Sequence, residues 1–241
     1  MAELPRTQLV AKHDVAEGTM AFEFAKPDGF TFTAGQFADY TLIDPPQTDA
    51  EGDIRGFSLA NPPYADTLMA ATRMRDTAFK RVLRDLPIGT EVLLDAPYGS
   101  FTLHRNTARR AVFLTGGIGI TPVRSILLQA AHDDTGHDIT VFYANNRTQD
   151  AAFLDELLAL GRDHTRIDVV AAISKPEESD EEWTGETGYV TADMLHRHLD
   201  AIAGPIYYLC GPPGMVKAMR GILDEAGVDP DDIRTEEFDG Y

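Results

Sequence analysis

Cysteine is nearly absent from this sequence of 241 residues, which contains only Cys210. A single cysteine excludes an internal disulfide, a four-cysteine zinc site and an iron–sulfur cluster held by cysteines. The seven histidines show no metal-ligand spacing, and His196 and His198 diverge because they lie two apart on a predicted helix. We therefore predict no metal site, and any redox chemistry needs another carrier.

Long apolar runs are also missing. No segment approaches the ~20 apolar residues that a membrane-spanning helix requires. The first residues, MAELPRTQLV, lack the basic and apolar regions of a secretion signal. These absences lead us to expect a globular protein without a membrane span and with a cytoplasmic location.

Positive charge is scarce, because 21 basic residues face 39 acidic ones and the formal net charge is −18. Such a surface repels phosphates, so the composition argues against nucleic-acid binding. It also raises the hypothesis of adaptation to high salt, where screening removes self-repulsion. The basic residues are unevenly spread, and twelve positions hold a group that we call the basic island: Arg73, Arg75, Lys80, Arg81 and Arg84.

The chain divides into two patterns. The first hundred residues contain short alternating runs separated by the turn signals PDG, IDPP, NPP and PIG, which predicts a small antiparallel β-barrel or sandwich with one helix, AFKRVLRDL. From Arg110 onward, β-type runs alternate with helical ones, which predicts a doubly wound α/β parallel sheet. We place the two domains at residues 1–105 and 106–241.

The segment LTGGIGITPVRSIL follows a predicted strand and opens a helix. Gly116, Gly117 and Gly119 allow close backbone approach, Thr121 suits an N-cap, and Pro122 suits a first helical turn. Free amides and the positive end of the helix then favour an anion at this position. The spacing GGxGxTP departs from the usual GxGxxG, and a glycine-rich turn that merely packs is the alternative.

The segment YLCGPPGM repeats this geometry at a later strand, which ends at Cys210 before Gly211 makes the turn. Two such strand ends on one sheet edge frame a crevice where open α/β sheets bind ligands. Cys210 is expected at its floor, either with a functional role or simply as a small buried apolar residue.

The segment RGFS places Arg55 and Phe57 on one face of a strand and Ser58 on the other. Arginine suits a phosphate, an aromatic ring suits a flat heterocycle, and a hydroxyl suits a ring nitrogen. Flavin nucleotides combine these three parts. Taken alone, the segment favours an ordinary edge strand with a surface arginine.

Taken in order, these segments resemble the ferredoxin–NADP reductase superfamily of flavoproteins. RGFS is similar to its R-x-Y/F-S flavin motif, TGGIGITP to its nucleotide phosphate loop, and CGPPGM to its nicotinamide-end motif. GQF, YGSF and EEFDGY are similar to weaker marks of the family. The resemblance implies an FAD-binding barrel followed by an NAD(P)-binding α/β domain.

The resemblance also implies roles on the flavin side. Arg55 would hold the flavin phosphate, Phe57, in place of the commoner tyrosine, would lie along the ring system or ribityl chain, and Ser58 would bond near N5 as a catalytic residue. Three further residues would complete the flavin site: Arg73, Phe79 and Lys80. Lys80 stands where the family has a serine, at a helix start that favours FAD over FMN.

On the nicotinamide side, Gly116, Gly117 and Thr121 would receive the pyrophosphate, with Pro122 in the same turn. Cys210 and Gly211 would lie beside the nicotinamide C4, where Cys210 acts by shape and dipole. The C-terminal residues Phe238, Gly240 and Tyr241 would cover the flavin, unless the segment is a frayed tail.

The choice between NADH and NADPH depends on the segment YANNRTQD. Arg147 can clamp a 2′-phosphate or lie on the surface, whereas Asn145, Asn146 and Asp150 suit ribose hydroxyls. The sequence favours NADH.

The resemblance implies a reductase that transfers a hydride from NAD(P)H to FAD and passes electrons to a separate acceptor. That acceptor is either a ferredoxin or flavodoxin that docks on the basic island, or a small molecule. One alternative is a flavin subunit of a larger complex without independent turnover. Another is a dehydrogenase without flavin, although Tyr189 is followed by Asp193 and not by the lysine of a tyrosine–lysine pair.

Overall fold

A computed structural model describes residues 4–238 of the chain. The first six strands form an antiparallel sheet in the order β4-β3-β6-β1-β2-β5, and its edge strands β4 and β5 approach each other. These strands are β1 (Arg6–Ala16), β2 (Thr19–Ala25), β3 (Phe37–Leu42), β4 (Ile54–Ser58), β5 (Thr67–Arg73) and β6 (Glu91–Tyr98). The predicted antiparallel barrel is confirmed.

Alternation of buried and exposed side chains along these strands explains the barrel. In β3, Ala38, Tyr40 and Leu42 point into the core while the residues between them are partly exposed. Helix α1 (Ala78–Asp85) closes one end of this core with Phe79 and Val82. Its N-terminus is capped by Thr77, whose hydroxyl accepts a hydrogen bond from the Lys80 amide.

The second half is a parallel sheet in the order β10-β9-β8-β7-β11-β12. Its strands are β7 (Ala111–Gly116), β8 (Ile139–Asn145), β9 (Ile167–Ile173), β10 (Glu186–Thr187), β11 (Ile206–Gly211) and β12 (Ile233–Glu237). Strands β7 and β11 are buried at every position, as expected when helices cover both faces of a sheet. The doubly wound α/β domain is therefore confirmed.

Four helices cover this sheet: α2 (Ile120–Asp133), α3 (Leu154–Asp163), α4 (Ala192–His198) and α5 (Pro213–Glu225). They form two apolar layers, one on each face of the sheet. No helix within residues 4–238 is long and apolar enough to cross a membrane. The acidic segment 174–188 contains the short strand β10, which pairs in parallel with the end of β9 over two residues.

Residues 99–110 connect the two sheets, and the domain boundary that we placed at 105/106 lies within this segment. The two halves are joined by buried polar contacts around Arg124 of α2. Its guanidinium donates to the Ala60 carbonyl at 2.7 Å and to the Asn61 amide oxygen at 3.1 Å, both on the barrel. The same group pairs with Glu156 of α3 at 2.6 Å. These contacts fix how the barrel faces the carboxyl ends of the parallel strands.

Candidate functional site

Two neighbouring cavities occupy the seam between the barrel and the parallel sheet. The first, which we call the barrel cavity, has a volume of about 330 Å³ and lies against β4, β5 and the start of α1. Its lining includes seven residues of the predicted site: Arg55, Phe57, Ser58, Arg73, Lys80, Thr121 and, from the C-terminal segment, Phe238.

Ser58 is a buried polar residue that lines the barrel cavity. Its side chain is 3% exposed, and its hydroxyl oxygen has no hydrogen-bond partner among residues 4–238. Phe57 packs between Tyr40 and Phe79, with ring centroids 6.0 Å from each. A buried hydroxyl without a partner is costly, so the site favours a ligand that offers one beside this aromatic surface.

Arg55 lies at the same cavity but is already engaged by carboxylates. Its guanidinium is 2.6 Å from Glu51 and 3.6 Å from Asp49, and it stacks on the Phe79 ring at 5.2 Å. This pairing could not be predicted from the sequence, because Asp49 and Glu51 lie on a loop whose path depends on the fold.

The start of α1 differs from the expected arrangement at two residues. Phe79 does not line the cavity, since its ring is 1% exposed and points into the barrel core. The Lys80 ammonium does line it and donates to the Arg73 carbonyl at 2.8 Å. Burial, with the nearby charge of Arg75, lowers the pKa of Lys80, and a phosphate here would oppose that shift.

The second cavity, which we call the sheet cavity, has a volume of about 600 Å³ at the carboxyl ends of β7, β8 and β9. Gly116 and Gly117 line it, together with Asn145 and Asn146 of the next strand end. This is the position where doubly wound sheets bind nucleotides. Two residues that the sequence did not single out for this site, Tyr189 and Met215, also line it.

The glycines of the phosphate loop allow contacts that other residues would prevent. A Cβ on Gly116 would lie 2.4 Å from the Met215 sulfur, and one on Gly119 would lie 2.4 Å from the Cys210 carbonyl oxygen. Gly117 has φ of +54° and leaves its backbone open to the cavity. The loop therefore packs tightly on one side and stays accessible on the other.

Thr121 and Pro122 lie elsewhere than expected. Helix α2 begins at Ile120, so Thr121 is inside the helix and is not its N-cap; its hydroxyl donates to the Ile118 carbonyl at 3.0 Å. Thr121 lines the barrel cavity, not the sheet cavity, and Pro122 is buried in the first turn and lines neither. Their contact with a pyrophosphate stays a prediction without support from this geometry.

Cys210 is completely buried at the end of β11 and lines neither cavity. Burial, together with the charge of Glu236 on the neighbouring strand, raises the pKa of its thiol well above the ordinary value. A thiol in this state is a poor nucleophile, which agrees with a role in shape and not in covalent chemistry. The backbone of Gly211 lies against Gly116, so the two strand ends touch.

Arg147 does not line the sheet cavity. Its guanidinium pairs with Asp150 at 2.7 Å and with Glu17 of the barrel at 3.1 Å. The hydrogen bond to Asp150 raises the pKa of this arginine further. A clamp on a 2′-phosphate would have to break both ion pairs, so the geometry counts against that predicted role.

Arg73 lines both cavities. Its guanidinium lies 3.6 Å from the position that a Cβ on Gly117 would take, and it forms no hydrogen bond or ion pair with residues 4–238. The pKa of Asp150 is lowered mainly by its bond to Arg147 and further by the charge of Arg73. Among the cations at the seam, Arg73 is thus available to an anion at the point where the cavities meet.

The C-terminal segment closes the barrel side of the seam. Phe238 donates its amide to the Gly211 carbonyl at 3.2 Å and borders a further cavity of about 380 Å³ with Ser58 and Glu236. Burial raises the pKa of Glu236 to about 7. Gly240 and Tyr241, predicted to cover the flavin, lie outside the described residues.

Sequence reasoning missed Tyr189 and Glu236 for different reasons. Tyr189 is 77% exposed at the mouth of the sheet cavity. The feature of the sequence that could have indicated it is an aromatic residue directly after a glycine in an otherwise polar loop. Glu236 and Glu237 are neighbours on β12, where successive side chains point to opposite faces. Glu236 is therefore half-buried while Glu237 is exposed. That alternation was the available signal.

Comparison with known proteins agrees with this geometry. The family model described as Oxidoreductase NAD-binding domain matches residues 113–221. The reductase component of propane 2-monooxygenase from Mycolicibacterium goodii is 32% identical over 88% of this chain and 61% of its own length. Ferredoxin–NADP reductase B from Sorangium cellulosum is 28% identical over 99% of both chains. The chain spans about 60% of the propane 2-monooxygenase reductase components.

Solved structures share the fold. A ferredoxin NADP⁺ reductase from Neisseria gonorrhoeae with bound FAD and NADP has a TM-score of 0.80 at 21% identity, over 98% of this chain and 99% of its own. The flavohem-like FAD/NAD-binding domain of nitric oxide dioxygenase from Vibrio cholerae has a TM-score of 0.81 at 22% identity, over 97% and 98%.

The barrel and the parallel sheet, with cavities at their seam, define the two-domain fold that these solved structures share. In sequence, the chain is similar to a ferredoxin–NADP reductase over nearly its whole length and to an NAD-binding oxidoreductase domain over residues 113–221.

Proposed function

We propose that this protein is a reductase that takes a hydride from NAD(P)H onto bound FAD and passes electrons to a separate acceptor. The observation that carries the proposal is the position of Arg73, which lines both cavities and has no anionic partner among the described residues. A cation shared by two adjoining cavities suits two phosphate-bearing ligands that meet there.

The barrel cavity fits a flavin. Its buried, unpartnered Ser58 hydroxyl would donate to or accept from a ring nitrogen, and Phe57 with Phe238 would contact the ring system. Arg55 and Lys80 would face the phosphates. When bound, the flavin supplies the redox chemistry, accepting two electrons from the nicotinamide and releasing them to the acceptor. The residues of this chain supply alignment and exclude water.

The sheet cavity fits a nicotinamide dinucleotide, because Gly116 and Gly117 leave backbone open to a pyrophosphate and Asn145 and Asn146 suit ribose hydroxyls. We propose a preference for NADH. Arg73, beside Gly117, is the only Lys or Arg among the residues that line this cavity, so no lysine or arginine lines the end near Asn146. A 2′-phosphate would be poorly neutralised there.

We propose that the acceptor is a separate protein, since several relatives are named reductase components of oxygenases. Ferredoxin or flavodoxin docking on the basic island has less support. Arg81 pairs with Asp76 and binds Gln47, Arg84 pairs with Asp85, and Lys80 turns toward the cavity. These pairs leave little net positive charge for an acidic partner.

A cytoplasmic location belongs to the same proposal, because NAD(P)H is the proposed donor.

A second candidate function is a flavin subunit of a larger complex without independent turnover. The names of the reductase-component relatives favour it.

The test begins with the purified protein reconstituted with FAD. We expect a yellow protein whose visible absorbance bleaches under anaerobic NADH, with a kcat/KM for NADH at least ~10-fold above that for NADPH. Turnover with ferricyanide or a quinone would separate an independent reductase from a subunit. A folded protein that stays colourless with FAD would refute the proposal.

Arg73→Ala tests the shared cation. We expect KM for NADH to rise by ~10-fold or more, which corresponds to loss of one charge-assisted contact of about 1.5–3 kcal/mol. Arg75→Ala is the matched control, because Arg75 is exposed, belongs to the same basic island and lines neither cavity. Equal KM values for the two variants would contradict the role of Arg73.

A further inference from the structure

The loop between β3 and β4 carries two carboxylates into the region where flavin phosphates would bind. We call residues 44–53 the acid strap. Its Glu51 lines the barrel cavity, and its Asp49 lies at the beginning of α1. This inference rests on the function proposed above and concerns how tightly that site holds a flavin.

Arg55 is the first cation that the acid strap occupies. One guanidinium nitrogen lies 2.6 Å from the Glu51 carboxylate, and the other donates to the carbonyls of Glu51, Gly52 and Ile54 at 2.9, 3.4 and 2.7 Å. Both terminal nitrogens of the guanidinium are thus engaged by its own chain. A phosphate that binds Arg55 has to displace the Glu51 carboxylate or share the arginine with it.

The N-terminus of α1 is the second anion-binding feature that the strap occupies. Asp49 accepts a hydrogen bond from the Ala78 amide at 2.8 Å, at the first residue of the helix. The same carboxylate lies 3.6 Å from Arg55. A carboxylate here uses the backbone donor and the helix dipole that would otherwise be open to a phosphate.

An incoming phosphate would displace the Glu51 carboxylate more easily than the Asp49 carboxylate. Glu51 is 65% exposed and can rotate into solvent, whereas Asp49 is 33% exposed and is held by the Ala78 amide and by the Glu51 amide at 3.0 Å. A phosphate would therefore meet at least one negative charge at close range.

We propose that the acid strap is a built-in competitor of the flavin phosphates for Arg55 and the start of α1. The contribution of Arg55 and of this helix start to phosphate binding is thereby reduced, while Arg73 and Lys80 stay available to the phosphates. FAD is then held less tightly than the same site would hold it without these two carboxylates.

The test measures dissociation constants of FAD and riboflavin by flavin fluorescence, for the full chain and for the variant D49N/E51Q. Both substitutions keep an oxygen acceptor and remove only the charge. We expect the variant to bind FAD at least ~10-fold more tightly, with riboflavin changed less than ~2-fold. D53N is the matched control, because Asp53 lies in the same loop and its carboxylate touches neither Arg55 nor α1 in the described contacts.

Three outcomes would overturn the proposal. They are an unchanged FAD affinity in D49N/E51Q, an equal gain for riboflavin, or an equal gain in D53N, which would point to net charge alone. Thermal melting of each variant verifies folding. A wild-type protein that binds no flavin at all would instead refute the proposed function, so the two failures are distinguishable.

Discussion

At the end of β12, the Glu236 carboxyl group is poorly solvated when ionised. Burial raises its pKa to about 7 from an ordinary value of 4.5. The folded protein therefore binds a proton on this group that the unfolded chain releases between these two values. The contribution of Glu236 to the free energy of unfolding is present below pH ~4.5 and is lost as pH rises through ~7.

Glu236→Gln removes this titration. We expect the wild-type free energy of unfolding to fall by about 2 kcal/mol more than that of the variant between pH 4.5 and 8, since the group is only partly enclosed. Urea denaturation at both pH values measures the difference. Glu237→Gln, at the next, exposed position, should behave like the wild type. A Glu236→Gln protein with the wild-type pH dependence would show that this carboxyl is normally solvated.

Among the elements, helix α2 contributes to the seam in two ways. It begins directly after the glycine-rich turn at 116–119, and it carries Arg124, which binds the barrel. The Arg124 side chain is 10% exposed and satisfies Ala60, Asn61 and Glu156. Its removal leaves a partly buried carboxylate and two barrel acceptors without their donor. Because this contact spans the seam, its loss should change the relative orientation of the two cavities and also lower the stability of the protein.

Arg124→Met should lower the free energy of unfolding by about 3 kcal/mol. It should also slow flavin reduction by NADH ~10-fold, with flavin content retained and KM little changed. Stopped-flow bleaching and urea denaturation provide the two readouts. Arg166→Met is the control, because Arg166 forms an exposed pair with Asp138 at 2.9 Å. Normal reduction kinetics in a destabilised Arg124→Met protein would limit Arg124 to a structural role.

Elements of this fold were predictable where the local pattern carried the information. Alternation along β3 and the helical spacing of Phe79 and Val82 gave the right types of element. Strand β10 could not be predicted, because a strand of two residues in an acidic segment shows no alternation of apolar and polar residues. Contacts such as Arg55 with Glu51, or Arg124 with the barrel, depend on loop paths and domain packing that no local pattern encodes.

For the whole molecule, the excess of 39 acidic over 21 basic residues dominates the long-range electrostatics. Many cations are already neutralised by neighbours, as in the exposed pairs of Arg84 with Asp85 and Arg197 with Glu186. The remaining carboxylates repel each other, and compact folding brings them closer together.

Added salt should therefore stabilise the fold. We expect the thermal unfolding temperature to rise by several degrees between about 0.01 M and about 1 M sodium chloride, because screening relieves repulsion more than it weakens exposed ion pairs. Calorimetry measures the shift. A melting temperature that is indifferent to salt would remove the hypothesis of adaptation to a saline environment.

The contact of Gly119 with the Cys210 carbonyl, and of Gly211 with Gly116, has a consequence for protein engineering. The two turns share one backbone interface without side chains between them. Exchanging one turn for that of a relative would create a steric mismatch with the other. Grafts that aim to alter coenzyme preference should transplant residues 115–122 and 209–215 as a single matched cassette.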